Sequence, residues 1–386
     1  MKIMLSAGEV SGDLHGAQLA GEILKMKPDT ELVGFGGDRM EEQGVRLWKN
    51  FKSYNVMGIV EVLKNLPRLL QLLNTLSARM QEERPDLLVL IDYPDFNWRL
   101  AKRARKLGIP VFSYIPPSAW AWRRGRAKAC AGIADEFVSI FPFELEPYLE
   151  AGAKISFLGN PLVDKVKAEI PLEQARSFFG VPEEAHPILL LPGSRKQEIE
   201  RLLPVMLKAA RLLLKQRADT VFLLPVADGA DADRIKTLVA QEGVPVQLAY
   251  ENRYALMGIA DAAMATSGTV VMEAALMQLP CVVLYKMSGF NYRIGKALVR
   301  IDNISLPNIL LGKHAQVELL QKEARPERAA EEILKLYRGC AHRENVIAEL
   351  AEASRRLGKP GAAKRIAERI LEAAKSKAAE ENYEKL

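Results

Sequence analysis

What most constrains this 386-residue chain is an alternation: short runs of β-branched and aliphatic residues, each followed by a segment of helical character. Uninterrupted apolar strands separated by helices suit a parallel sheet, whose strands are buried on both faces beneath covering helices. In the first half the runs predict strands at Lys2–Leu5, Glu31–Phe35, Leu87–Ile91, Val111–Tyr114, Glu136–Ile140 and Lys154–Phe157. In the second half they fall at Ile188–Leu191, Thr220–Pro225, Val246–Leu248, Ala262–Ala265 and Cys281–Leu284. Each set predicts its own open sheet, so the expected fold class is α/β, with two Rossmann-like, doubly wound domains facing each other across a cleft. The length agrees, being too great for one ordinary core.

A turn signal at Gly159-Asn160-Pro161 follows the last strand of the first set and marks the seam, with a helical link beginning near Leu172. The expected domains are 1–163 and 164–345, then C-terminal helices over 346–386. Beyond about Arg325 the chain reads as helix to its end, broken at Gly358-Lys359-Pro360-Gly361. The apolar stripes of these helices pack either back on the N-terminal domain or on a second subunit, the latter making a homodimer.

Charge excludes little. The excess of 54 basic over 48 acidic residues, +6, is too small to point to nucleic acid. It is unevenly placed, with Arg99, Lys102, Arg103, Arg105, Lys106, Arg123, Arg124, Arg126 and Lys128 crowded into one stretch. Such a run is either a solvated helix face or a patch for anionic partners, including acidic lipid headgroups. Cys130, Cys281 and Cys340 lack metal-ligand spacing and read as reduced thiols. No signal peptide and no membrane-spanning run is evident, so contact with a membrane is expected at its cytoplasmic surface, the inner face of the inner membrane.

In such sheets ligands bind beyond the carboxyl ends of the strands, where crossovers diverge. The first βα turn, Ser6-Ala7-Gly8-Glu9-Val10-Ser11-Gly12-Asp13-Leu14-His15-Gly16, has glycines that let backbone approach a ligand. Ser11 or Asp13 is placed to cap the following helix. Glu9, Ser11, Gly12 and His15 are candidate cleft residues. The run Leu87–Ile91 ends in Asp92, a carboxylate suited to taking a proton from an attacking sugar hydroxyl; Asp95 suits a helix cap better. Ser118 and Trp120 lie on the proline-stiffened loop Pro116-Pro117-Ser118-Ala119-Trp120-Ala121-Trp122-Arg123, which offers flat amphipathic surface or ordinary packing.

In the second half, Leu191-Pro192-Gly193-Ser194-Arg195 leads from a strand into a helix beginning at Lys196. Gly193 and Ser194 expose backbone donors to an anion, and Arg195 can contact a diphosphate through two donors at once. A second loop, Thr266-Ser267-Gly268-Thr269, opens a helix carrying Glu273, a candidate acceptor for ribose hydroxyls. Two such loops in one domain favour a nucleoside diphosphate over a bare phosphate. Asp228, Asp231 and Asp233 sit in a polar segment and read as helix caps; neither metal nor cofactor is implied. From Asn55 to Leu76 runs a broad apolar stripe. Val56, Met57, Ile59, Val60, Leu63, Leu66, Leu69 and Leu70 are candidates for membrane or acyl-chain contact, against the alternative of core packing.

The segments AGEVSGDLHG, VMGIVEVL, IDYPDFN, PPSAWAWR, LPGSR, SGTVVMEAA and SLPN, in this order, resemble bacterial lipid-A-disaccharide synthase, a family of the two-Rossmann-domain type called GT-B. The resemblance spans roughly residues 1–350. It implies inverting transfer from UDP-2,3-diacylglucosamine to the 6-hydroxyl of 2,3-diacylglucosamine 1-phosphate, releasing UDP. It implies Asp92 as general base and Arg195 as the arginine at the UDP diphosphate. Gly193, Ser194, Ser267, Gly268, Thr269, Glu273 and Asn308 of Ser305-Leu306-Pro307-Asn308 would then line the UDP pocket. Where many members of that family carry a histidine at the seam this chain has Asn160, which argues against a catalytic role there. Two other readings share parts of the pattern. An enzyme like UDP-N-acetylglucosamine 2-epimerase, or the glycosyltransferase of peptidoglycan lipid II, would share fold and nucleotide loops. A non-catalytic glycolipid carrier would keep the apolar stripe without needing Asp92.

Overall fold

A computed structural model of the chain describes residues 1–54, 59–118, 125–227, 229–287 and 302–383, with backbone alone for 59–66, 125–126 and 376–383. It divides into two compact units, Met1–Pro161 with Lys359–Leu386, and Leu162–Gly358.

The first unit contains β1 (Lys2–Ala7), α1 (Val10–Met26), β2 (Glu31–Gly36), α2 (Asp38–Glu42), β3 (Arg46–Asn50), α3 (Ile59–Glu83), β4 (Leu87–Ile91), α4 (Pro94–Lys106), β5 (Val111–Tyr114), α5 (Gly125–Ala131), β6 (Glu136–Ser139), α6 (Leu145–Glu150) and β7 (Ile155–Phe157). The strands pair in the order β3-β2-β1-β4-β5-β6-β7, every pairing parallel. Alternation along each strand sorts the core into two layers. Met4, Val33, Leu88 and Leu90 pack with Leu72, Leu76 and Met80 of α3 and Leu100 and Ala104 of α4. Ile3, Leu5, Val89 and Ile91 pack with Leu19 and Ile23 of α1 on the other face.

The second unit contains α7 (Leu162–Lys165), α8 (Leu172–Phe178), β8 (His186–Leu191), α9 (Lys196–Gln216), β9 (Thr220–Pro225), α10 (Ala232–Glu242), β10 (Val246–Ala249), α11 (Arg253–Ile259), β11 (Ala262–Thr266), α12 (Thr269–Leu276), β12 (Cys281–Tyr285), α13 (Leu306–Leu311), β13 (Glu318–Leu320), α14 (Pro326–Leu334) and α15 (Ala341–Arg356). Its parallel strand order is β10-β9-β8-β11-β12-β13. The last helix, α16 (Ala362–Tyr383), belongs to the first unit. Its Ile366, Ala367 and Ile370 join the layer under α1, Arg369 binds Glu136 of β6 (Nη2–Oε2 2.6 Å), and Arg365 Nε donates to the Leu158 carbonyl at 2.9 Å.

The segment 346–386 is therefore not one body: α15 packs on α12 and α13 in the second unit, and α16 returns to the first. The short strands β3 and β13 were not among the runs expected to form strands. Both are sheet edges, and RLWKN and ELL carry charge rather than an apolar run. The capping expectation also changes. Glu9, not Ser11, precedes α1, without a side-chain cap bond. Asp13 is buried and its carboxylate accepts from the backbone N–H groups of Gly37 (2.8 Å), Arg39 (3.2 Å) and Met40 (3.2 Å), capping α2 instead. No helix among the described residues is long and apolar enough to cross a membrane.

Because three backbone donors and the N-terminal end of α2 converge on one carboxylate, Asp13→Ala strands buried N–H groups. A loss of about 2 kcal/mol is expected, which calorimetry should register as a drop of roughly 5 °C in the first unit's melting temperature. An unchanged melting temperature would contradict this role.

Candidate functional site

In both sheets the strand order reverses direction at one place, between β1 and β4 in the first unit and between β8 and β11 in the second. Loops leaving the two strands there diverge, opening a crevice at their carboxyl ends.

In the first unit, β4 delivers Asp92 to that point. Asp92 and Tyr93 both adopt the left-handed conformation (φ 51° and 52°), as does Ile115 after β5 (φ 58°). For a β-branched residue this is strained backbone, which persists only where surroundings enforce it. Asn97, buried in α4, does much of the enforcing. Its Nδ2 donates to the Asp92 carbonyl at 2.6 Å and to the Ser6 carbonyl at 3.3 Å, while its Oδ1 accepts from Ser6 Oγ at 2.7 Å. Gly8 lacks a side chain because the Tyr93 ring occupies its place; a Cβ there would lie 2.2 Å from Tyr93 Cδ1. Gly12 brings α1 against the Ile91 carbonyl, 3.4 Å from where its Cβ would be.

The result is a cavity of about 310 Å³ bounded by Asp92, Ile115, Pro117, Ser118, Phe141 and Glu144, among others. Burial raises the Asp92 carboxyl above the usual aspartate range, opposed by the Tyr93 backbone N–H. Beneath it, Ser139 Oγ bonds Glu144 and accepts from the Phe141 N–H at 2.9 Å. Such a cavity can hold a hydroxyl group beside a carboxylate.

In the second unit the corresponding crevice is a cavity of about 330 Å³. One wall is Pro192-Gly193-Ser194-Arg195 after β8, and another is Thr266-Ser267-Gly268-Thr269 after β11. Gly193 takes φ +98°, and a Cβ there would stand 2.3 Å from Glu198 Oε2. Arg195 is the N-cap of α9; its side chain, 81% exposed, pairs with Glu198 (3.1 Å). Thr266 Oγ1 is buried at the cavity wall with no hydrogen-bond partner among the described residues. Ser267 Oγ donates to the Ile304 carbonyl at 2.8 Å, fixing the loop's position. Glu273 reaches the cavity from one turn inside α12, held by Tyr254 Oη at 3.0 Å and Arg253 Nη2 at 3.2 Å. Backbone donors, two guanidinium groups and two carboxylates in one crevice suit an anion joined to a polyol.

A family model for lipid-A-disaccharide synthetase matches residues 3–370. The chain belongs to the lipid-A-disaccharide synthetase family. It is 43% identical over 366 residues to the lipid-A-disaccharide synthase of Syntrophus aciditrophicus (strain SB), covering 95% of this chain and 96% of that one. It is 41% identical to the enzyme of the same name in Myxococcus xanthus (strain DK1622), covering 96% and 97%. Among solved structures it is similar to a UDP-GlcNAc 2-epimerase from Neisseria meningitidis, with a TM-score of 0.65 over 96% of this chain and 100% of the other. At 14% identity that likeness shows the GT-B fold alone. Membership in the synthetase family makes the chain a glycosyltransferase of lipid A biosynthesis.

For this member of the synthetase family, the structure gathers Gly193, Ser194, Arg195, Ser267, Gly268, Thr269 and Glu273 around one cavity and leaves Asn308 outside it. Asn308 is fully buried. Its Nδ2 donates to the Gln316 carbonyl and to Glu318, both at 2.8 Å, and its Oδ1 accepts from the N–H groups of Ala315 and Gln316. The Asn308 amide thus holds together the segment on which Ser267 rests, and it is no pocket wall. In the first unit Asp92 and Ser118 share a cavity, while Glu9 and Ser11 stand exposed at the start of α1. His15 meets the buried Tyr114 edge-on, Nδ1 to Oη 3.3 Å.

Trp120, Val56 and Met57 lie outside the described residues, as do the side chains of Ile59, Val60, Leu63 and Leu66. Leu69 is partly buried against the core beside Leu72 and Leu73, whereas Leu70 is 42% exposed. Asp231 caps α10 by accepting from the Arg234 N–H at 2.9 Å; Asp228 lies outside the described residues. Asp95 is exposed in the first turn of α4, whose N-cap is Tyr93. Asn97, Arg253 and Tyr254 went unassigned in the sequence. Asn97 stands inside IDYPDFN and could have been suspected; Arg253 and Tyr254 carry no local signal.

Asn97→Ala removes the partner of both Ser6 and the strained Asp92 carbonyl. A stability loss of about 1–3 kcal/mol is expected from the buried groups left unpaired, measured by urea unfolding of the first unit. A midpoint equal to wild type would show that Asn97 does not hold this turn.

Proposed function

We propose that the chain transfers 2,3-diacylglucosamine from UDP-2,3-diacylglucosamine to the 6-hydroxyl of 2,3-diacylglucosamine 1-phosphate, with inversion to a β-1′,6 link and release of UDP. The observation that carries this reading is the setting of Asp92: a desolvated carboxylate on strained backbone, at the reversal of its sheet and at the edge of a cavity. In the reaction the acceptor oxygen gives its proton to Asp92 as it bonds to the donor's anomeric carbon, on the face opposite the leaving group. The bond from that carbon to the diphosphate breaks, and UDP leaves with the electron pair. Backside attack assisted by a carboxylate follows the logic of inverting glycoside hydrolysis, with a sugar hydroxyl in place of water. Arg195 and the backbone N–H groups of the two glycine loops are suited to meet the charge on the departing diphosphate. Glu273 is suited to the ribose hydroxyls.

Asp92→Asn should lower kcat by roughly 10²- to 10⁴-fold while leaving UDP affinity unchanged. The sign of the pH dependence follows from burial. A raised carboxyl pKa means that the base form is gained only above the ordinary aspartate range, so the acidic limb of kcat/KM should lie above about 3.9 and vanish in the asparagine variant. The same shift means that ionising Asp92 weakens the fold as pH rises through its folded pKa, so the variant should melt higher than wild type at neutral pH. Incubating the purified chain with both acylated glucosamine substrates should give UDP and the disaccharide in equal amounts. UDP release without disaccharide, or full turnover by Asp92→Asn, would sink the assignment.

Greasy substrates suit an enzyme working at a membrane surface. Arg99, Lys102 and Lys106 stand exposed on α4 and Lys128 on α5, which supports attraction to anionic headgroups. Of the remaining basic run, Arg105 is engaged with Asp135 at 3.1 Å and Arg103 with Ser77. The chain should sediment with vesicles containing phosphatidylglycerol at low salt and be released as ionic strength rises; equal binding to neutral vesicles would count against this surface.

A further inference from the structure

We infer that Tyr254, assisted by Arg253, is a positioning residue that fixes the Glu273 carboxylate for the hydroxyls of a nucleotide ribose. The inference rests on reading the second unit's cavity as the nucleotide site, and it adds a residue that nothing in the sequence pattern marks. Glu273 is nearly buried, with 8% of its side chain exposed, and it faces the cavity. Three contacts converge on one of its oxygens. Tyr254 Oη donates to Oε1 at 3.0 Å, Arg253 Nη2 donates to Oε1 at 3.2 Å, and Lys165 Nζ lies 3.9 Å from it. Arg253 Nη2 also donates to Tyr254 Oη at 2.7 Å, so guanidinium, phenol and carboxylate form a closed ring of bonds. Oε2 takes none of them.

A carboxylate oriented through one oxygen can offer the other to a vicinal diol without choosing between rotamers, which is preorganisation in its simplest form. Tyr254 is buried and does not line the cavity, so its hydroxyl acts through Glu273 and not on the ligand. Burial first and the Glu273 charge second push the Tyr254 phenol up to about 12, so it remains a donor throughout the working pH range. The base of the device is equally fixed. Asn252, before α11, supplies no side-chain cap, and Glu169 supplies the acceptor instead, taking the N–H groups of Tyr254 (3.1 Å) and Ala255 (2.9 Å).

The test measures, by titration calorimetry, the binding of UDP and of 2′,3′-dideoxyuridine diphosphate to wild type, Tyr254→Phe and Glu273→Ala. Wild type should prefer UDP by tenfold or more. Tyr254→Phe should bind UDP roughly tenfold more weakly but the dideoxy analogue as wild type does. In turnover its KM for the donor should rise by a similar factor with kcat within about twofold. If Tyr254→Phe retains full preference for UDP while Glu273→Ala loses it, the positioning role is overturned and the nucleotide site stands. If Tyr254→Phe weakens both ligands equally, the tyrosine is merely structural and the inference fails. If Glu273→Ala binds both ligands as wild type does, the cavity is not the ribose site, and both readings fall together.

Discussion

The parallel pairing of β1 with β4, and of β8 with β11, is the constraint on which the rest depends. At these pairs the chain winds outward in opposite directions, so the loops from the two strands cannot cover each other and a crevice opens. Those four loops carry Gly8 after β1, Asp92 after β4, Gly193 and Arg195 after β8, and Ser267 to Thr269 after β11, while Glu144, Arg253 and Glu273 reach the cavities from neighbouring elements. The crevice requires no special packing, only the order of the strands. What the sequence adds is small residues where the backbone comes close and strained residues where a side chain must turn outward. Gly8 yields its space to the Tyr93 ring, and the left-handed Asp92-Tyr93 pair is anchored through Asn97 and Ser6 to the strand next door. Strain at Asp92 is thus offset by bonds made within the same reversal.

One doubly wound plan carries different electrostatics in the two units. Around the first cavity the charged side chains are Asp92 and Glu144, with no lysine or arginine among the described lining residues. A carboxylate in low dielectric with no cation among the described lining residues holds its proton more tightly. The second cavity instead gathers the helix start at Thr269, two arginines and the glycine-loop donors. Its carboxylates, Glu198 and Glu273, are each bound to an arginine, so they shape the site without making it acidic. The acidic lining of one cavity and the arginine-bearing lining of the other follow from how the loops distribute charge, since both sheets reverse strand order in the same way.

The central strands and their site loops were legible because burial on both faces leaves an unbroken apolar run, and the loop after such a run is where ligands bind. Two of the four edge strands were not legible: β3 and β13 are short, carry charge, and look like loop until a neighbour pairs with them. The destination of α16 was also open in the sequence. An amphipathic stripe states that a helix must be covered, and Ile366 and Ile370 would have suited either the first unit or a second chain equally well. Asp13 shows the local limit of such reading. It stands where a cap for α1 belongs, yet its carboxylate serves α2, more than twenty residues on, because Gly37, Arg39 and Met40 fold back over it.

Asn308 and Tyr254 together show why a motif and a contact surface are different things. Ser305-Leu306-Pro307-Asn308 is sharply patterned, but the pattern comes from burial. An amide with four bonds to make, and Ser305 and Asn308 both bonded to Glu318, tolerate almost no exchange of side chains. Its product is a rigid Ile304 carbonyl, on which Ser267 and hence the glycine loop rest. Tyr254, by contrast, is unmarked, because its bond to Glu273 crosses from α11 to α12 and leaves no spacing to read. A buttress with many simultaneous partners imprints itself on sequence, whereas a single hydroxyl placed by tertiary structure does not. The residues lining the two cavities are therefore only partly those that the sequence announces, and the bonds that aim them must be read from the fold.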